Sequence, residues 1–160
     1  MSGLLQVSIE SKQFPGSYLR IDGSGVTSWS DSGGGKVNAQ NYVGSYEKQI
    51  IVNDPTNNTF AIFSSVFPNA ALRMDATDVT AGKQYPSGAG KVNCQFGVGG
   101  WEQFRFEPQP DGSKAIASVQ FPGVYLRLDN SGGGGGNSGA GTVNCQGYVG
   151  TYEKFLIHVI

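Results

Sequence analysis

Phe14-Pro15-Gly16 returns as Phe67-Pro68-Asn69 and again as Phe121-Pro122-Gly123, at intervals of 53 and 54 residues. A chain that repeats one unit at a fixed period of this size folds as copies of one supersecondary motif around a shared core. The rest of each unit follows in register. Tyr18-Leu19-Arg20-Ile21-Asp22 matches Ala71-Leu72-Arg73-Met74-Asp75 and Tyr125-Leu126-Arg127-Leu128-Asp129. Lys36-Val37-Asn38-Ala39-Gln40 matches Lys91-Val92-Asn93-Cys94-Gln95 and Thr142-Val143-Asn144-Cys145-Gln146. A fourth block closes each unit: Gly44-Ser45-Tyr46-Glu47-Lys48, Gly99-Gly100-Trp101-Glu102-Gln103 and Gly150-Thr151-Tyr152-Glu153-Lys154. Upstream of each Phe-Pro lies an alternating run, Leu5 to Ile9, Phe60 to Val66 and Ala115 to Val119.

These segments alternate with period two. Leu19 and Ile21 share one face and Arg20 and Asp22 the other, the pattern of a half-buried strand, and no helical spacing runs for a useful length. Four short strands three times over predict an all-β chain, a β-trefoil of twelve strands in three pseudo-threefold repeats of about 53 residues. Three hairpins would cap a six-stranded barrel, and closure would remove exposed edges. The chain reads as a single domain over 1–160, with repeats at about 1–55, 56–110 and 111–160.

Composition narrows the class of partner. Lys plus Arg number 11 and Asp plus Glu 12, a formal net charge of −1, where a nucleic-acid or anionic-membrane surface would need clustered positive charge. Charged residues are 14% of the chain and Gly is 25 of 160 positions, so the surface is polar, weakly charged and loop-rich. No apolar run is long enough to insert in a bilayer. Without a basic stretch ahead of an apolar run, no signal peptide is read, which points to a cytoplasmic protein or a module excised from a secreted one. The sequence is silent on oligomeric state.

Catalysis would need an asymmetric cluster, whereas Glu47, Glu102 and Glu153 are related by the repeat and fall on separate lobes. The chain therefore reads as non-catalytic. Gly35-Lys36 and Gly90-Lys91 lack the hydroxyl that a phosphate loop places after its lysine. His158 reads as a packed or surface residue. Cys94 and Cys145 alternate with polar neighbours on the face of Val and read as core thiols, with no zinc spacing. No metal and no cofactor are expected. Asn57-Asn58-Thr59 matches a glycosylation acceptor, which matters only in a secreted chain.

Tyr-Leu-Arg-x-Asp, Gly-x-Val-Asn-Cys-Gln and Val-Gly-x-Tyr/Trp-Glu-Lys-Phe together resemble the fascin-like branch of the β-trefoils. Within it the chain is most similar to small carbohydrate-binding modules and lectins for β-1,3- and β-1,6-linked glucans. The resemblance spans all three repeats. It implies one sugar pocket per repeat, built on Tyr46-Glu47, Trp101-Glu102 and Tyr152-Glu153, and a multivalent lectin as the function. The same branch includes actin-bundling scaffolds, the alternative reading.

The residues themselves suit a sugar. An aromatic face takes the pyranose C–H groups and a carboxylate accepts from its hydroxyls. The competing reading has each aromatic cap the barrel while each Glu pairs with Arg20, Arg73 or Arg127. Asn38, Asn93 and Asn144, with their neighbouring Gln, either meet hydroxyls or tie down the Gly-rich loops. Arg20-Asp22 and its copies read first as structural ion pairs. In the second loop of each repeat stand Trp29, then Tyr85, then Gly132 to Gly136 without an aromatic. If that loop walls the pocket, the three sites are not equal and the third is the weakest. Ala71 in place of Tyr18 and Tyr125 also argues for unequal sites. Under the lectin reading, Trp101→Ala should cost about 1–3 kcal/mol of binding at its site. Removing all three aromatic-Glu pairs should abolish polymer binding and leave the melting temperature nearly unchanged.

Overall fold

A computed structural model describes residues 4–160. Twelve strands follow in order: β1 (Leu4–Ser11), β2 (Tyr18–Asp22), β3 (Lys36–Gln40), β4 (Gln49–Asp54), β5 (Thr59–Ser64), β6 (Ala70–Asp75), β7 (Lys91–Phe96), β8 (Phe104–Pro108), β9 (Lys114–Ser118), β10 (Tyr125–Asp129), β11 (Thr142–Gln146) and β12 (Phe155–Val159). All pairings between these strands are antiparallel. β1 pairs β4, β4 pairs β5, β5 pairs β8, β8 pairs β9, β9 pairs β12 and β12 returns to β1, a closed six-stranded barrel. The hairpins β2–β3, β6–β7 and β10–β11 cap it in matching registers, with Arg20 opposite Asn38, Arg73 opposite Asn93 and Arg127 opposite Asn144. This is the β-trefoil.

The alternating apolar residues meet on the threefold axis. Val7, Ile9, Leu19, Ile21, Ile62, Leu72, Met74, Ile116, Leu126 and Leu128 are fully buried, with Cys94 and Cys145 beside them. At the start of the fourth barrel strand the core holds Phe104 and Phe155 in two repeats and Gln49 in the first. Gln49 donates its amide to the carbonyls of Leu19 and Tyr46, a polar break in an otherwise threefold layer.

Two expectations about the elements change. The fourth sequence block is not a strand. Ser45–Glu47, Gly100–Glu102 and Thr151–Glu153 are single 3₁₀ turns, and the strand begins just after each. The polar face of the cap strands is also not solvated. Arg20, Arg73 and Arg127 are as deeply buried as their apolar neighbours, because the 3₁₀ turn and a loop from another repeat fold over them.

Candidate functional site

Each 3₁₀ turn is built around its glutamate. Glu47 Oε1 accepts the backbone N–H of Gly44 at 2.8 Å, and Glu102 and Glu153 accept those of Gly99 and Gly150 at 2.7 Å. That closes the turn on an amide that would otherwise lack a partner. The other carboxylate oxygen faces the buried arginine, 3.8 Å from Arg20 Nε in the first repeat and 4.0 Å from Arg127 Nε in the third. All three glutamates are only 1–2% exposed. Burial pushes their carboxyls above the ordinary glutamate value, opposed by the glycine N–H and the arginine charge.

The aromatic that precedes each glutamate lies on the same arginine. The guanidinium carbons of Arg20, Arg73 and Arg127 stand 5.0, 4.8 and 4.9 Å from the ring centres of Tyr46, Trp101 and Tyr152. A phenylalanine of the next repeat in the cycle meets each ring edge-on: Phe67 on Tyr46, Phe121 on Trp101 and Phe14 on Tyr152, at 5.0–5.3 Å. These rings are half-buried, with one face taken. Glu47, Glu102 and Glu153 thus hold a turn and face an arginine, and Tyr46, Trp101 and Tyr152 have one face on that arginine, while all six line grooves on the surface.

The amides serve the scaffold too. Asn38, Asn93 and Asn144 accept from the arginine on the opposite strand and donate to the carbonyls of Ser138, Ser32 and Ser87. Gln40, Gln95 and Gln146 grip the backbones of Gly136, Ser30 and Tyr85 through both ends of the side-chain amide. So the three Asn hold loops rather than facing outward for a ligand. Arg20–Asp22 and Arg127–Asp129 are ion pairs at 3.7 and 3.5 Å.

The gripped loop always comes from a different repeat. The first repeat holds the third's loop, the second holds the first's, and the third holds the second's. This follows from the isolated ladder contacts Gly34–Cys94, Ala89–Cys145 and Ala39–Ala140, which carry each loop across to its neighbour. A groove opens at every such junction. The first, about 210 Å³, is lined by Arg20, Tyr42, Tyr46, Glu47 and Asn137. The second, about 170 Å³, lies among Trp29, Asp31, Arg73, Gly99, Gly100 and Trp101. The third, about 260 Å³, is lined by Gln84, Tyr85, Arg127, Asp129, Tyr148 and Tyr152. Trp29 thus serves the second repeat's groove and Tyr85 the third's. The aromatic-free glycine loop borders the first groove rather than the third.

Two residues escaped the sequence reading. Tyr42, 51% exposed, and Tyr148 stand two positions before Gly44 and Gly150, against the turn. Their counterpart in the second repeat is Gly97, and Trp29 reaches across from the first repeat to cover Gly97 and Gly99 instead. The recurring Tyr-Val-Gly before two of the turns was the available signal; its absence from the second hid it. Tyr18, Ala71 and Tyr125 line none of the three grooves.

No protein-family model matches the chain, and no curated protein matches its sequence. Solved structures match its fold. ThreeFoil, a designed threefold-symmetric protein, is similar over 96% of this chain and 97% of its own at 13% identity and a TM-score of 0.68. SeviL bound to asialo-GM1 saccharide is similar over 97% of both chains at 10% identity and a TM-score of 0.64. A mosquitocidal holotoxin matches 99% of this chain with 17% of its own length, at 16% identity and a TM-score of 0.70. At these identities the likeness establishes the architecture, and the chain is a β-trefoil.

Proposed function

We propose that this protein is a non-catalytic, multivalent carbohydrate-binding protein that takes β-1,3- or β-1,6-linked glucans in the three inter-repeat grooves. The observation that carries this reading is the groove itself. Each junction sets an outer aromatic (Tyr42 and Trp29 exposed, Tyr148 half-buried) beside a rigid, arginine-braced turn. A pyranose ring lies with its apolar face on the outer aromatic, and its hydroxyls reach the polar rim. The inner ring, the arginine and the glutamate fix the shape of the cleft rather than bind.

The locked state of the glutamates supports a binding role over a hydrolytic one. Each is committed to a glycine N–H of its own turn and faces an arginine of its own repeat, which holds it in a structural role. A β-trefoil solved with a saccharide bound, SeviL, shows that such architecture accommodates this class of ligand. Weak sites on one rigid body gain strength together on a polymer. The glucan preference rests on the resemblance of the repeat motifs to fascin-like glucan-binding modules.

A glycan array probed at low and high protein density, with calorimetry against laminarin and a β-1,6-glucan, tests the reading. Binding to either glucan that sharpens with density supports it. Silence across the array and both polymers defeats it. Co-sedimentation with actin filaments while glycans stay unbound would favour the scaffold role instead.

A further inference from the structure

The three loops that cross to a neighbour align through their anchors, since Ser30, Tyr85 and Gly136 are each gripped by the same glutamine. One position earlier stand Trp29, Gln84 and Gly135; one position later, Asp31, Pro86 and Asn137. Only the loop reaching the second groove therefore delivers an aromatic followed by a carboxylate. Trp29 is 52% exposed and lies over Gly97 and Gly99, while Gly100 lines the groove beside it. The turn position held by Gly100 is Ser45 and Thr151 in the other repeats, so this turn alone carries no side chain there. At Gly135 a side chain would collide with Gln40 and Asn41, so the first groove cannot receive the equivalent wall.

The carboxylate is free as well. Asp31 is exposed on the rim, and none of the described residues donates to or pairs with its side chain; only its backbone carbonyl is engaged, by Arg73 at 3.1 Å. Asp22 and Asp129, by contrast, are tied to arginine and to the serine two residues on.

We propose that the groove between Trp29 and Trp101 is the principal saccharide site, and that Trp29 and Asp31, both supplied by the first repeat, set its specificity. This inference rests on the carbohydrate-binding reading above. The indole takes the apolar face of the ring, and Asp31 accepts from two adjacent hydroxyls in a charge-assisted pair. The ligand it selects is a neutral saccharide with a vicinal diol next to an apolar face. A sialylated or sulfated glycan would place a second negative charge against Asp31.

Both tryptophans of the chain lie in this groove, so tryptophan emission, excited selectively over tyrosine, reports on it alone. The protein is titrated with laminarihexaose and with a β-1,6-linked glucose hexamer, and the same samples are read on a glycan array. The expected result is a tryptophan emission change that tracks binding to a neutral ligand. Trp29→Ala should weaken that binding tenfold or more, Trp29→Tyr should recover most of it, and Asp31→Asn should weaken it about fivefold. Tyr18→Ala, outside all three grooves, should change it less than threefold, Tyr42→Ala should weaken it less than Trp29→Ala does, and circular dichroism should show all five variants folded. Saccharide binding that leaves the emission unchanged, or that Tyr42→Ala damages more than Trp29→Ala, overturns this proposal and leaves the lectin reading standing. An array led by acidic glycans also overturns it. No binding to any saccharide overturns both.

Discussion

At the scale of residues, the site turns on three buried arginines. Arg20, Arg73 and Arg127 were legible as one face of an alternating strand, yet alternation alone assigns a charged residue to water. What the pattern could not show is the lid: a ring from the same repeat and a carbonyl from a loop far away in sequence. The glutamates follow the same logic. Glu102→Ala should lower stability by about 1–3 kcal/mol, because the Gly99 N–H loses its partner inside the turn. Glu102→Gln should cost less than about 1 kcal/mol, since its amide oxygen keeps that bond and burial already disfavours the charge; urea titrations of the two variants check both. The pH dependence has a definite sign. The folded state holds the glutamate protons more tightly than the unfolded chain, so their contribution is complete below about pH 4.5 and is lost as pH rises through the raised values. For Asp22 and Asp129, burial works upward but is outweighed by hydrogen bonds from Ser24 and Ser131 and by the neighbouring arginines. Their carboxyls are lowered, and that contribution disappears only on acidification below about pH 3.8. Unfolding temperatures between pH 4.5 and 7 should therefore fall less steeply in a Glu47→Gln, Glu102→Gln, Glu153→Gln variant than in the parent. An unchanged slope would show that the glutamates are not its source.

The cysteines are the residue-scale reading that composition and alternation carried well. Cys94 and Cys145 are fully buried, and burial first, then a neighbouring aspartate, pushes their thiols up to about 11 and about 12. Thiolate is scarce and shielded, so iodoacetamide at pH 8 should label neither until the protein is unfolded in denaturant. Rapid labelling of the native protein, read by mass spectrometry, would contradict this packing.

At the scale of elements, strands were visible because period two and Phe-Pro punctuation are local signals, while the 3₁₀ turns were not. Gly-x-Tyr-Glu carries no periodicity, and its turn exists because a glutamate reaches back to its own glycine. The loops were misread for a related reason. Spacing within a repeat says nothing about which neighbour a loop visits, and that is set by the long-range bonds to Cys94, Cys145 and Ala39. The crossing geometry depends on one glycine per loop. Gly33 has φ +70°, and a methyl group there would sit 2.7 Å from Asn93 Oδ1 and 2.8 Å from Arg73 Cδ; Gly139 has φ +67° and a 2.6 Å approach to Asn38 Oδ1. Gly33→Ala should therefore cost about 2 kcal/mol or more, from the strained backbone and the displaced arginine–asparagine pair together. It should also disturb the second groove while leaving the third intact. Amide exchange that speeds up around residues 29–34 and 93–95 but not around 85–89 would show this.

At the scale of the whole molecule, every groove draws on all three repeats: the arginine-braced turn from one, the phenylalanine edge from the next and the loop from the previous. Closure of the barrel and assembly of the sites are thus one event, and the inner aromatic-Glu pairs belong to the fold. Replacing Tyr46-Glu47, Trp101-Glu102 and Tyr152-Glu153 together by alanine should lower the melting temperature markedly, against the sequence-based expectation of little change. Replacing the outer Tyr42, Trp29 and Tyr148 by alanine should instead leave melting nearly unchanged while polymer binding is lost, since these rings rest on the surface of the turns. The central claim, that the inter-repeat grooves receive a saccharide, is tested most directly by mapping amide and indole chemical shifts in isotope-labelled protein as laminarihexaose is added. The account predicts shifts at the Trp29 and Trp101 indoles and at the amides of Gly44, Gly99, Gly100 and Gly150, largest in the second groove. Shifts confined to the barrel end around Leu4 and Val159, or none at saturating saccharide, would contradict it.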